Sequence, residues 1–580
     1  MKRICAIVIL FASVISLQAD IFKSKSLVKT EVEPASIVKV DKMIFVDFGK
    51  AAFGRVRFEA TAENDKQVVI VHIGEVLDKR AGNRINRRPG GHRRYYRQDQ
   101  KLKKGTHWYE VTIPPTKRHL NPRAIQMPKE TGIVHPFRYC ELENYKGELT
   151  KDKIRQVRVT YPFDDEASYF KSSSKVLNDV WEMCKYSIKA TSFCGVYIDG
   201  DRERIPYEGD AYINQIAHYC LDSEYALARR SLEYLIDNGT WPVEWHQHIP
   251  LMVHEEYMYT GDTGFLKERY DDIVAKMLLP LQREDGLLSI NAKAADPEFL
   301  KTISMTRKLE TLVDWPWGER DRHQFKQQDS VVNAFLYRNL VVMAELAEAI
   351  GKKDDAKKFK AEAERVYETY QKVFFIEDKG IYRDGPNSGH SSIHANLFPL
   401  AFGLVSEEKQ EKVLAHLESK GMACSVYAAQ HLVDGFYKAG AQDYALSLLT
   451  STKERSWAHM IYDVGSTISL EAWDNKFKPN QDWNHAWGAA PADLIPRRLM
   501  GIMPIEPGFK KARIQPQIGN LTEAAIKHPT LLGPIEMEIN RKGDKWKVEI
   551  SIPKKMKAEF IQPWDGKPVK LKSGKNKIKS

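Results

Sequence analysis

Apolar residues alternate with polar ones near both ends of the chain, which is the period of a β-strand. Between about residues 28 and 165, segments such as 44–48 and 68–73 are separated by turn residues. The alternation returns near the C-terminal end, in 535–539 and 546–550. These regions predict an N-terminal antiparallel sandwich and a second, smaller sandwich.

The middle of the chain follows the 3.6-residue period of amphipathic helices instead. The repeat begins near Lys175, and short connections rich in Gly, Pro and Trp join the helical segments. Recurring helices with short connections predict paired helices in a toroid. Because the candidate functional residues lie in the connections, we expect the loops at one end of the toroid to form the active site. The clearest helical segments are 211–221, 225–237, 331–350, 356–374, 407–417 and 441–449.

These changes of period give the expected domains. A β-sandwich is predicted over 20–168, a helical barrel over 169–502 and a C-terminal β-sandwich over 503–580. The fold class is therefore multidomain and mainly α.

Five acidic side chains lie within the twelve residues 199–210, among two arginines, two glycines and a proline. Gly and Pro break the helical hydrogen-bond ladder, so the segment predicts a loop that gathers carboxylates, followed by a helix from about Ala211. Carboxylates held close together move each other's pKa apart, as general acid catalysis near neutral pH requires. A solvated acidic turn is the other interpretation; a calcium loop is disfavoured because the spacing is irregular.

A second carboxylate of interest lies far along the chain. Glu471 is followed by Trp473 and then by the pair Asn484-His485. If the loops that carry Glu203 and Glu471 face each other across a pocket, one carboxylic acid can protonate a glycosidic oxygen while the other carboxylate activates water. Nearby tryptophans are typical of sugar-binding clefts, although a single Trp is more often a core residue.

Several motifs follow one another through nearly the whole chain after its first 19 residues. They are Gly74-Glu75-Val76-Leu77-Asp78, Pro136-Phe137-Arg138-Tyr139, Asp199 with Arg202-Glu203-Arg204 and Gly209-Asp210, Asp314-Trp315, Thr467 with Glu471 and Trp473, Asn484-His485, and Pro507-Gly508-Phe509. In these motifs and their order the chain resembles glycoside hydrolase family 78, the α-L-rhamnosidases.

The resemblance implies an (α/α)6 barrel flanked by β-domains and an inverting exo-α-L-rhamnosidase. We expect no cofactor and no metal. Glu203 matches the family's general acid and Glu471 its general base. Asp199 and Asp210 match carboxylates that bind the rhamnose ring hydroxyls. The full set of predicted substrate-binding residues is Asp199, Arg202, Asp210, Trp241, Trp245, Asp314, Trp315, Trp473 and His485.

The acidic loop departs from the family pattern at two places. Gly200-Asp201 replaces the usual Cys-Pro with one residue fewer, and Pro206-Tyr207-Glu208 stands where Gly-Trp-Thr is common. The expected acid keeps its place, but the surroundings of the sugar change. The substrate class that follows is a rhamnose-containing oligosaccharide of a plant or algal polysaccharide.

The formal net charge of +11 is concentrated locally. Within 79–104, eleven Lys and Arg residues accompany one acid, Asp99, with Tyr95 and Tyr96 among them. Basic residues interleaved with aromatic ones can bind nucleic acid, but an exported protein rarely meets it. We therefore expect no nucleic-acid partner and favour a polyanionic glycan, such as ulvan or pectic rhamnogalacturonan, as the partner of this segment. A flexible solvated loop is the other interpretation.

Residues 2–19 have the pattern of a cleavable export signal: Lys2-Arg3, an apolar run over 4–17, then Gln18-Ala19. The run is too short to span a bilayer, and Cys5 lies too early for lipid attachment. We expect an exported, periplasmic or secreted protein without membrane insertion. The other five cysteines, an odd number without regular spacing, predict buried free thiols, although one pair within 184–220 could bridge.

Other functions fit parts of the pattern. They include another inverting hydrolase on a helical toroid (trehalase-like, glucoamylase-like or an unsaturated uronyl hydrolase), a glycan lyase and a non-catalytic glycan-binding protein. The presence of both Glu203 and Glu471 argues against the last. Zinc binding by His246, His248 and His254 is disfavoured because their spacing is not that of zinc ligands.

Overall fold

The computed structural model describes residues 21–82 and 84–580, so the leader expected at 1–19 lies outside the described residues. A β-sandwich, a helical domain and a smaller β-sandwich follow one another along the chain. The predicted fold class, a central helical domain between two β-domains, is confirmed.

The strands of the N-terminal sandwich are β1 Val28–Val32, β2 Ser36–Val40, β3 Met43–Ala62, β4 Val68–Gly74, β5 Leu77–Asp78, β6 Arg84–Ile85, β7 Tyr95–Lys101, β8 Gly105–Glu110, β9 His135–Glu143 and β10 Ile154–Thr160. The long strand β3 organises this domain: it pairs with four other strands, and a register shift between Asp47 and Ala52 bends it. The sheet order is β1-β10-β3-β9-β4-β7, with β2 and β8 also on β3, while β5 pairs with β6.

The helical domain contains inner and outer helices that differ in burial. Ser330–Ala349 is buried on most of its surface, whereas Lys353–Phe374, packed against it, buries one apolar stripe and exposes its charges. The α-helices are Lys175–Thr191, Glu208–Leu221, Ala226–Asp237, Val243–His246, His248–Thr260, Gly264–Glu268, Tyr270–Ala275, Pro297–Thr302, Ser330–Ala349, Lys353–Phe374, His394–Phe402, Glu407–Lys420, Ala428–Lys438, Gln442–Leu449, Trp457–His459 and Pro491–Leu494. A short hairpin, β12 Phe375–Ile376 with β13 Ile381–Tyr382, lies between them.

The helix after the acidic loop begins at Glu208, earlier than the expected start near Ala211. Tyr207 is still extended, and the buried Glu208 carboxylate accepts a hydrogen bond of 3.0 Å from the backbone nitrogen of Thr240. This contact between distant segments fixes the first helical turn. Glu208 and Asp210 also place negative charge at the helix N-terminus, which is favourable.

The C-terminal sandwich includes a strand from before the helical domain. Its sheets have the orders β11-β16-β17-β18-β21 and β14-β15-β19-β20. β11 lies within 169–502, the range expected for the barrel, yet it pairs with β16 and so ties the start of the helical domain to the end of the chain. The strands are β11 Tyr169–Ser172, β14 Ile502–Glu506, β15 Lys511–Ile514, β16 Glu523–His528, β17 Ile535–Lys542, β18 Lys545–Ile552, β19 Lys557–Ile561, β20 Pro568–Leu571 and β21 Gly574–Lys579.

The contact between the N-terminal sandwich and the helical domain positions the acidic loop. The rings of Phe53 and Phe193 stack with centroids 3.6 Å apart, and Val134 and Ile198 belong to the same buried cluster. Because Ile198 immediately precedes Asp199, this interface sets where the acidic loop begins.

All five cysteines within the described residues are buried and unbridged, as expected. Across the same residues, no helix is both long enough and apolar enough to cross a membrane.

Candidate active site

A cavity of about 370 Å³ opens where the acidic loop, the loop that carries Glu471 and the N-terminal sandwich meet. The structure thereby brings together residues that are far apart in the chain. The predicted site residues on its wall are Asp199, Arg202, Glu203, Asp210, Trp241, Trp245, Trp315, Glu471 and His485.

Gly200 allows the acidic loop to approach the opposite loop closely. Its φ is +93°, and a Cβ atom there would lie 2.5 Å from the carbonyl oxygen of Asn484 and 2.8 Å from Oδ2 of Asp482. Glycine alone adopts this conformation readily and leaves that space free. The close approach therefore requires Gly200.

Asp201 stabilises the acidic loop internally and anchors it to the N-terminal sandwich. Its buried carboxylate accepts a 2.8 Å hydrogen bond from Nε of Arg204 and pairs with Arg94 of the N-terminal sandwich. Burial alone would raise the pKa of this carboxyl group, but the two arginines lower the pKa of Asp201 to about 2. The loop is thus held by permanently charged contacts.

Arg202 stands between the two carboxyl groups expected to react. Its Nη1 donates to Oε1 of Glu471 at 2.5 Å, and its Nη2 lies 3.6 Å from Oε1 of Glu203. Its Nε is 3.8 Å from Oδ2 of Asp199. One guanidinium therefore hydrogen-bonds Glu471 and lies within ion-pair distance of Glu203 and Asp199 around the cavity.

Of the two carboxyl groups expected to react, Glu203 is the more accessible to solvent. Its side chain is 36% exposed, and its Oε2 accepts a hydrogen bond from the Tyr207 hydroxyl at 2.6 Å. Tyr207 stands at one of the positions where the acidic loop departs from the family pattern. In this chain it orients the carboxyl group expected to act as the acid.

Glu471 is 1% exposed and surrounded by polar groups. Besides Arg202, its Oε1 has Nζ of Lys478 at 3.4 Å and accepts a 3.4 Å hydrogen bond from Nε1 of Trp315. Burial, and then the Asp482 carboxylate, raises the pKa of Glu471 against the opposing effect of Arg202, His485 and Lys478. A raised pKa makes this carboxylate a stronger base.

His485 connects the two loops as a charged group. Its Nε2 lies 2.7 Å from Oδ1 of Asp210 and its Nδ1 3.2 Å from Oδ1 of Asp482. Burial would lower the pKa of His485, but Asp482 and Asp210 raise it well above the usual value. The imidazolium thus donates to both carboxylates and holds Asp210 at the cavity wall.

Two predicted substrate-binding residues lie behind the wall of the cavity. Asp314 is fully buried and accepts hydrogen bonds from the Ser425 backbone at 2.9 Å and, at 2.7 Å, from His394. Trp473 is also fully buried, and its Nε1 donates to the Cys424 carbonyl at 2.8 Å. Both face inward because their polar atoms are already satisfied there, so they support the loops instead of lining the cavity.

Several residues of the site were missed by the sequence argument. Lys478 and Asp482 follow Trp473 closely, so a stricter look at the polar residues between the two quoted motifs could have found them. Glu75 accepts hydrogen bonds from the Arg94 backbone at 2.6 Å and from Asn484 at 3.0 Å, and burial raises its pKa to about 8. The other missed residues on the cavity wall are His92, Tyr207, Pro242, Leu312, Asn480 and Trp487.

The basic segment 79–104 is partly an internal scaffold. Arg94 pairs with Asp201, Arg87 donates to Glu141 at 2.5 Å, and Arg93 donates to Oδ1 of Asn475 at 2.8 Å. The charges that remain exposed are Lys79, Arg80, Arg88, Arg97, Lys101, Lys103 and Lys104. The segment therefore brings His92 to the cavity and presents a smaller basic surface than its composition indicates.

Glu471, Asp482 and His485 have potential metal-ligand atoms within 4.8 Å of one another. They do not fit a metal, because a protonated His485 donates its hydrogen bonds and Glu471 is already paired with Arg202. His246 and His248 bind the carbonyl oxygens of Thr240 and Glu244, and His254 pairs with Glu345. No zinc-ligand set forms from these three histidines.

Known protein families match all three parts of the chain. The family model of the bacterial alpha-L-rhamnosidase 6 hairpin glycosidase domain matches residues 165–499. The models of the bacterial alpha-L-rhamnosidase concanavalin-like and C-terminal domains match residues 38–160 and 501–577.

Curated relatives and solved structures agree with these matches. An alpha-L-rhamnosidase of Formosa agariphila is 25% identical over 511 residues, which covers 78% of this chain and 52% of the relative. One of Alteromonas sp. strain LOR is 23% identical over 488 residues, with coverages of 77% and 50%. The chain thus spans about half the length of these relatives.

Among solved structures, the alpha-L-rhamnosidase of Streptomyces avermitilis complexed with L-rhamnose superposes with a TM-score of 0.76 at 17% identity, covering 96% of this chain and 54% of that one. The enzyme of Dictyoglumus thermophilum gives a TM-score of 0.75 at 16% identity, with coverages of 94% and 63%. At these identities the similarity shows the fold, and it agrees with the predicted barrel between two β-domains.

Proposed function

The chain belongs to the bacterial α-L-rhamnosidase family, and from this premise we propose that it hydrolyses terminal α-L-rhamnosides with inversion of configuration. Glu203 is the general acid and Glu471 the general base. The observation that carries the proposal is the bridge formed by Arg202, whose Nη1 and Nη2 contact one carboxyl group each at 2.5 and 3.6 Å. Each carboxyl group lies against a different nitrogen of the same guanidinium, so both face one cavity, as a mechanism with an attacking water between Glu471 and the sugar requires.

The reaction follows from these positions. Glu203 donates its proton to the glycosidic oxygen as the bond from that oxygen to the anomeric carbon breaks. Glu471 takes a proton from water, whose oxygen bonds to the anomeric carbon from the opposite face. The products are rhamnose with the inverted anomeric configuration and a free alcohol. The 36% exposure of Glu203 supports its reprotonation from solvent.

The remaining wall suits one terminal sugar. Among the described residues, the buried Oδ2 of Asp199 has no hydrogen-bond partner, so it is free to accept from a ring hydroxyl. Asp210, oriented by His485, provides a second acceptor on the same wall. Trp241, Trp245 and Trp315 supply apolar ring faces for the pyranose. A cavity of about 370 Å³ with this lining supports exo action on a single residue.

We also propose that the protein is exported and that its natural substrate is a glycan bearing carboxylate or sulfate groups, such as fragments of ulvan or pectic rhamnogalacturonan. Export is supported by the basic and apolar pattern of residues 2–19. The charge preference is supported by the exposed lysines and arginines of 79–104, because clustered cations concentrate polyanions and are screened by salt. N-terminal sequencing of the protein from its native host tests the export.

A panel of aryl glycosides tests the central part of the proposal. The purified chain should release the aryl group from α-L-rhamnoside and leave the α-glucoside and the β-rhamnoside intact. Turnover of the α-glucoside in place of the rhamnoside would contradict it. For the charge preference, kcat/KM on a uronate-containing rhamnosyl oligosaccharide should fall with added salt, while kcat/KM on the aryl rhamnoside stays constant.

A further inference from the structure

A second depression, which we call the flanking groove, lies beside the active-site cavity. It has a volume of about 470 Å³ and is lined by residues 290–292, 308–311 and 325–327. Its wall is joined to the cavity wall directly, because the Glu310 backbone nitrogen donates to the Trp241 carbonyl at 3.2 Å. Trp241 lines the cavity and Glu310 lines the groove, so the two depressions are neighbours.

Two large aromatic rings are exposed along this side of the protein. Trp317 is 72% exposed and Phe325, on the groove wall, is 40% exposed. The guanidinium of Arg320 lies 4.2 Å from the Trp317 ring and 5.1 Å from the Phe325 ring. Arg320 is itself buried, and its Nε donates to the Asp314 carbonyl at 2.7 Å. The two rings are thus held on one fixed support.

This arrangement differs from an ordinary exposed side chain. A single apolar residue on a protein surface is common, but these two rings share the support of Arg320, and Phe325 lies on the groove wall. Each ring leaves much of its surface open to solvent. Flat, exposed and positioned rings are suited to stacking on the apolar faces of sugars.

The polar lining of the groove is mainly basic and amidic. Lys308 and Lys326 lie on its wall with the amides of Asn291 and Gln327. Glu310 is the acidic residue among the lining, and its Oε1 lies 3.9 Å from Nζ of Lys308 in an exposed pair, which is weak. Arg307, exposed next to Lys308, lies 5.3 Å from the ring of Trp241. Positive charge therefore follows the path from the cavity into the groove.

We propose that the flanking groove binds the part of the glycan to which the terminal rhamnose is attached. Trp317 and Phe325 stack on its sugars, while Lys308 and Lys326 pair with its carboxylate or sulfate groups. This inference rests on the proposed function, since it assumes that a rhamnosyl glycan enters the neighbouring cavity. It adds a subsite that selects long, anionic substrates over short ones.

The test compares substrates that do and do not reach the groove. The long substrate is an oligosaccharide of alternating rhamnose and galacturonic acid with rhamnose at its non-reducing end, and the short one is an aryl α-L-rhamnoside. Trp317→Ala and Phe325→Ala should each lower kcat/KM on the long substrate about 3- to 10-fold and leave the aryl rhamnoside unchanged. Trp108→Ala is the matched control, because Trp108 is 39% exposed on the N-terminal sheet with Arg57 4.9 Å from its ring. Trp108→Ala should change kcat/KM on neither substrate.

A second pair of variants tests the charge. Lys308→Ala/Lys326→Ala should lower kcat/KM on the uronate oligosaccharide several-fold and leave its carboxyl-reduced, neutral counterpart unaffected. Lys357→Ala/Lys358→Ala removes two exposed charges from the helix Lys353–Phe374 and serves as the control. Equal losses on the acidic and the neutral oligosaccharides would overturn the role of the lysines.

The outcomes separate this inference from the proposed function. If the wild type hydrolyses the aryl rhamnoside but Trp317→Ala and Phe325→Ala leave the long substrate unchanged, the groove is not a subsite and the proposed function stands. If the wild type hydrolyses no α-L-rhamnoside, the proposed function fails. Calorimetric titration of the uronate oligosaccharide into the wild type and into Trp317→Ala then tests whether the flanking groove binds the glycan. An unchanged Kd in Trp317→Ala would overturn the inference.

Discussion

The two carboxyl groups that face the cavity differ in almost every physical respect. Glu203 is 36% exposed, sits on a loop whose backbone must turn tightly at Gly200, and accepts a hydrogen bond from the neutral Tyr207, with Nη2 of Arg202 3.6 Å away. Glu471 is 1% exposed and is fixed by Arg202, Lys478 and Trp315. Glu203 is an accessible group with a neutral donor, and Glu471 is an enclosed group among cations.

This difference suits two different tasks. An acid that protonates a leaving group must face that group and regain its proton from solvent after each turnover. A base that activates a single water must stay ionised and hold that water in one orientation, which the surrounding cations and hydrogen bonds favour. Arg202 contacts both groups, at 3.6 Å from Glu203 and 2.5 Å from Glu471, and so ties their positions to each other.

Glu471→Gln should cause the largest loss. Without the base, kcat should fall about 10²- to 10⁴-fold on every rhamnoside, because no choice of leaving group restores the activation of water. Measuring kcat on aryl rhamnosides with good and poor leaving groups checks this. A loss that nearly disappears with the best leaving group would contradict the assignment of Glu471 as base.

Glu203→Gln should cause a loss of similar size only where protonation is needed. On a rhamnosyl oligosaccharide, whose leaving group is poor, kcat should fall about 10²- to 10⁴-fold. On an activated aryl rhamnoside the loss should be much smaller, because that leaving group departs with little protonation. Tyr207→Phe is a milder variant that removes the hydrogen bond to Oε2 of Glu203. Near-normal turnover of the oligosaccharide by the folded Glu203→Gln variant would refute the role of the acid.

Gly200→Ala should distort the acidic loop. A new Cβ would meet Asn484 and Asp482, so we expect destabilisation by about 1–3 kcal/mol beyond backbone strain, together with a lower kcat. Gly403→Ala is the control: its φ is +85°, and within the described residues no atom lies within 4 Å of the added Cβ. Denaturant midpoints of the two variants give the difference. Equal stabilities of the two variants and an unchanged kcat would mean that the acidic loop does not lie close against Asn484 and Asp482.

Lys478→Met should change the pH profile more than the maximal rate. Lys478 lowers the pKa of Glu471, so its removal should raise that pKa further. A base acts when deprotonated, and the acid limb of kcat/KM should therefore move to higher pH. Lys476→Met, which removes a lysine paired with Glu454 instead, should leave the limb in place. A shift to lower pH in Lys478→Met would contradict the assignment.

The acidic loop could be found from sequence because its members are close together in the chain. Asp199, Glu203 and Asp210 lie within twelve residues, and Gly and Pro mark the loop. Glu471 is singled out by the Trp473 and Asn484-His485 that follow it, but its role as base and the place of His485 in the pocket come from the resemblance, since a lone Glu carries little local signal. The order of the domains followed from the change of hydrophobic period alone.

Ion pairs and hydrogen bonds between segments that are distant in sequence explain the features that could not be predicted from local patterns. Counting charges in 79–104 overstates the exposed basic surface, because Arg94 and Arg87 are neutralised by Asp201 and Glu141 from other segments. Asp314 and Trp473 stand next to cavity residues in sequence but point into the core, where Ser425 and Cys424 satisfy them. These contacts depend on tertiary geometry that local patterns do not encode.

The anomeric configuration of the first-formed sugar tests the central claim most directly. If Glu203 and Glu471 act across a water, proton NMR recorded in the first minutes of aryl α-L-rhamnoside hydrolysis should show β-L-rhamnose first, with the α-anomer appearing only as the sugar mutarotates. Initial appearance of α-L-rhamnose would mean retention, and would contradict the assignment of Glu471 as a base acting through water.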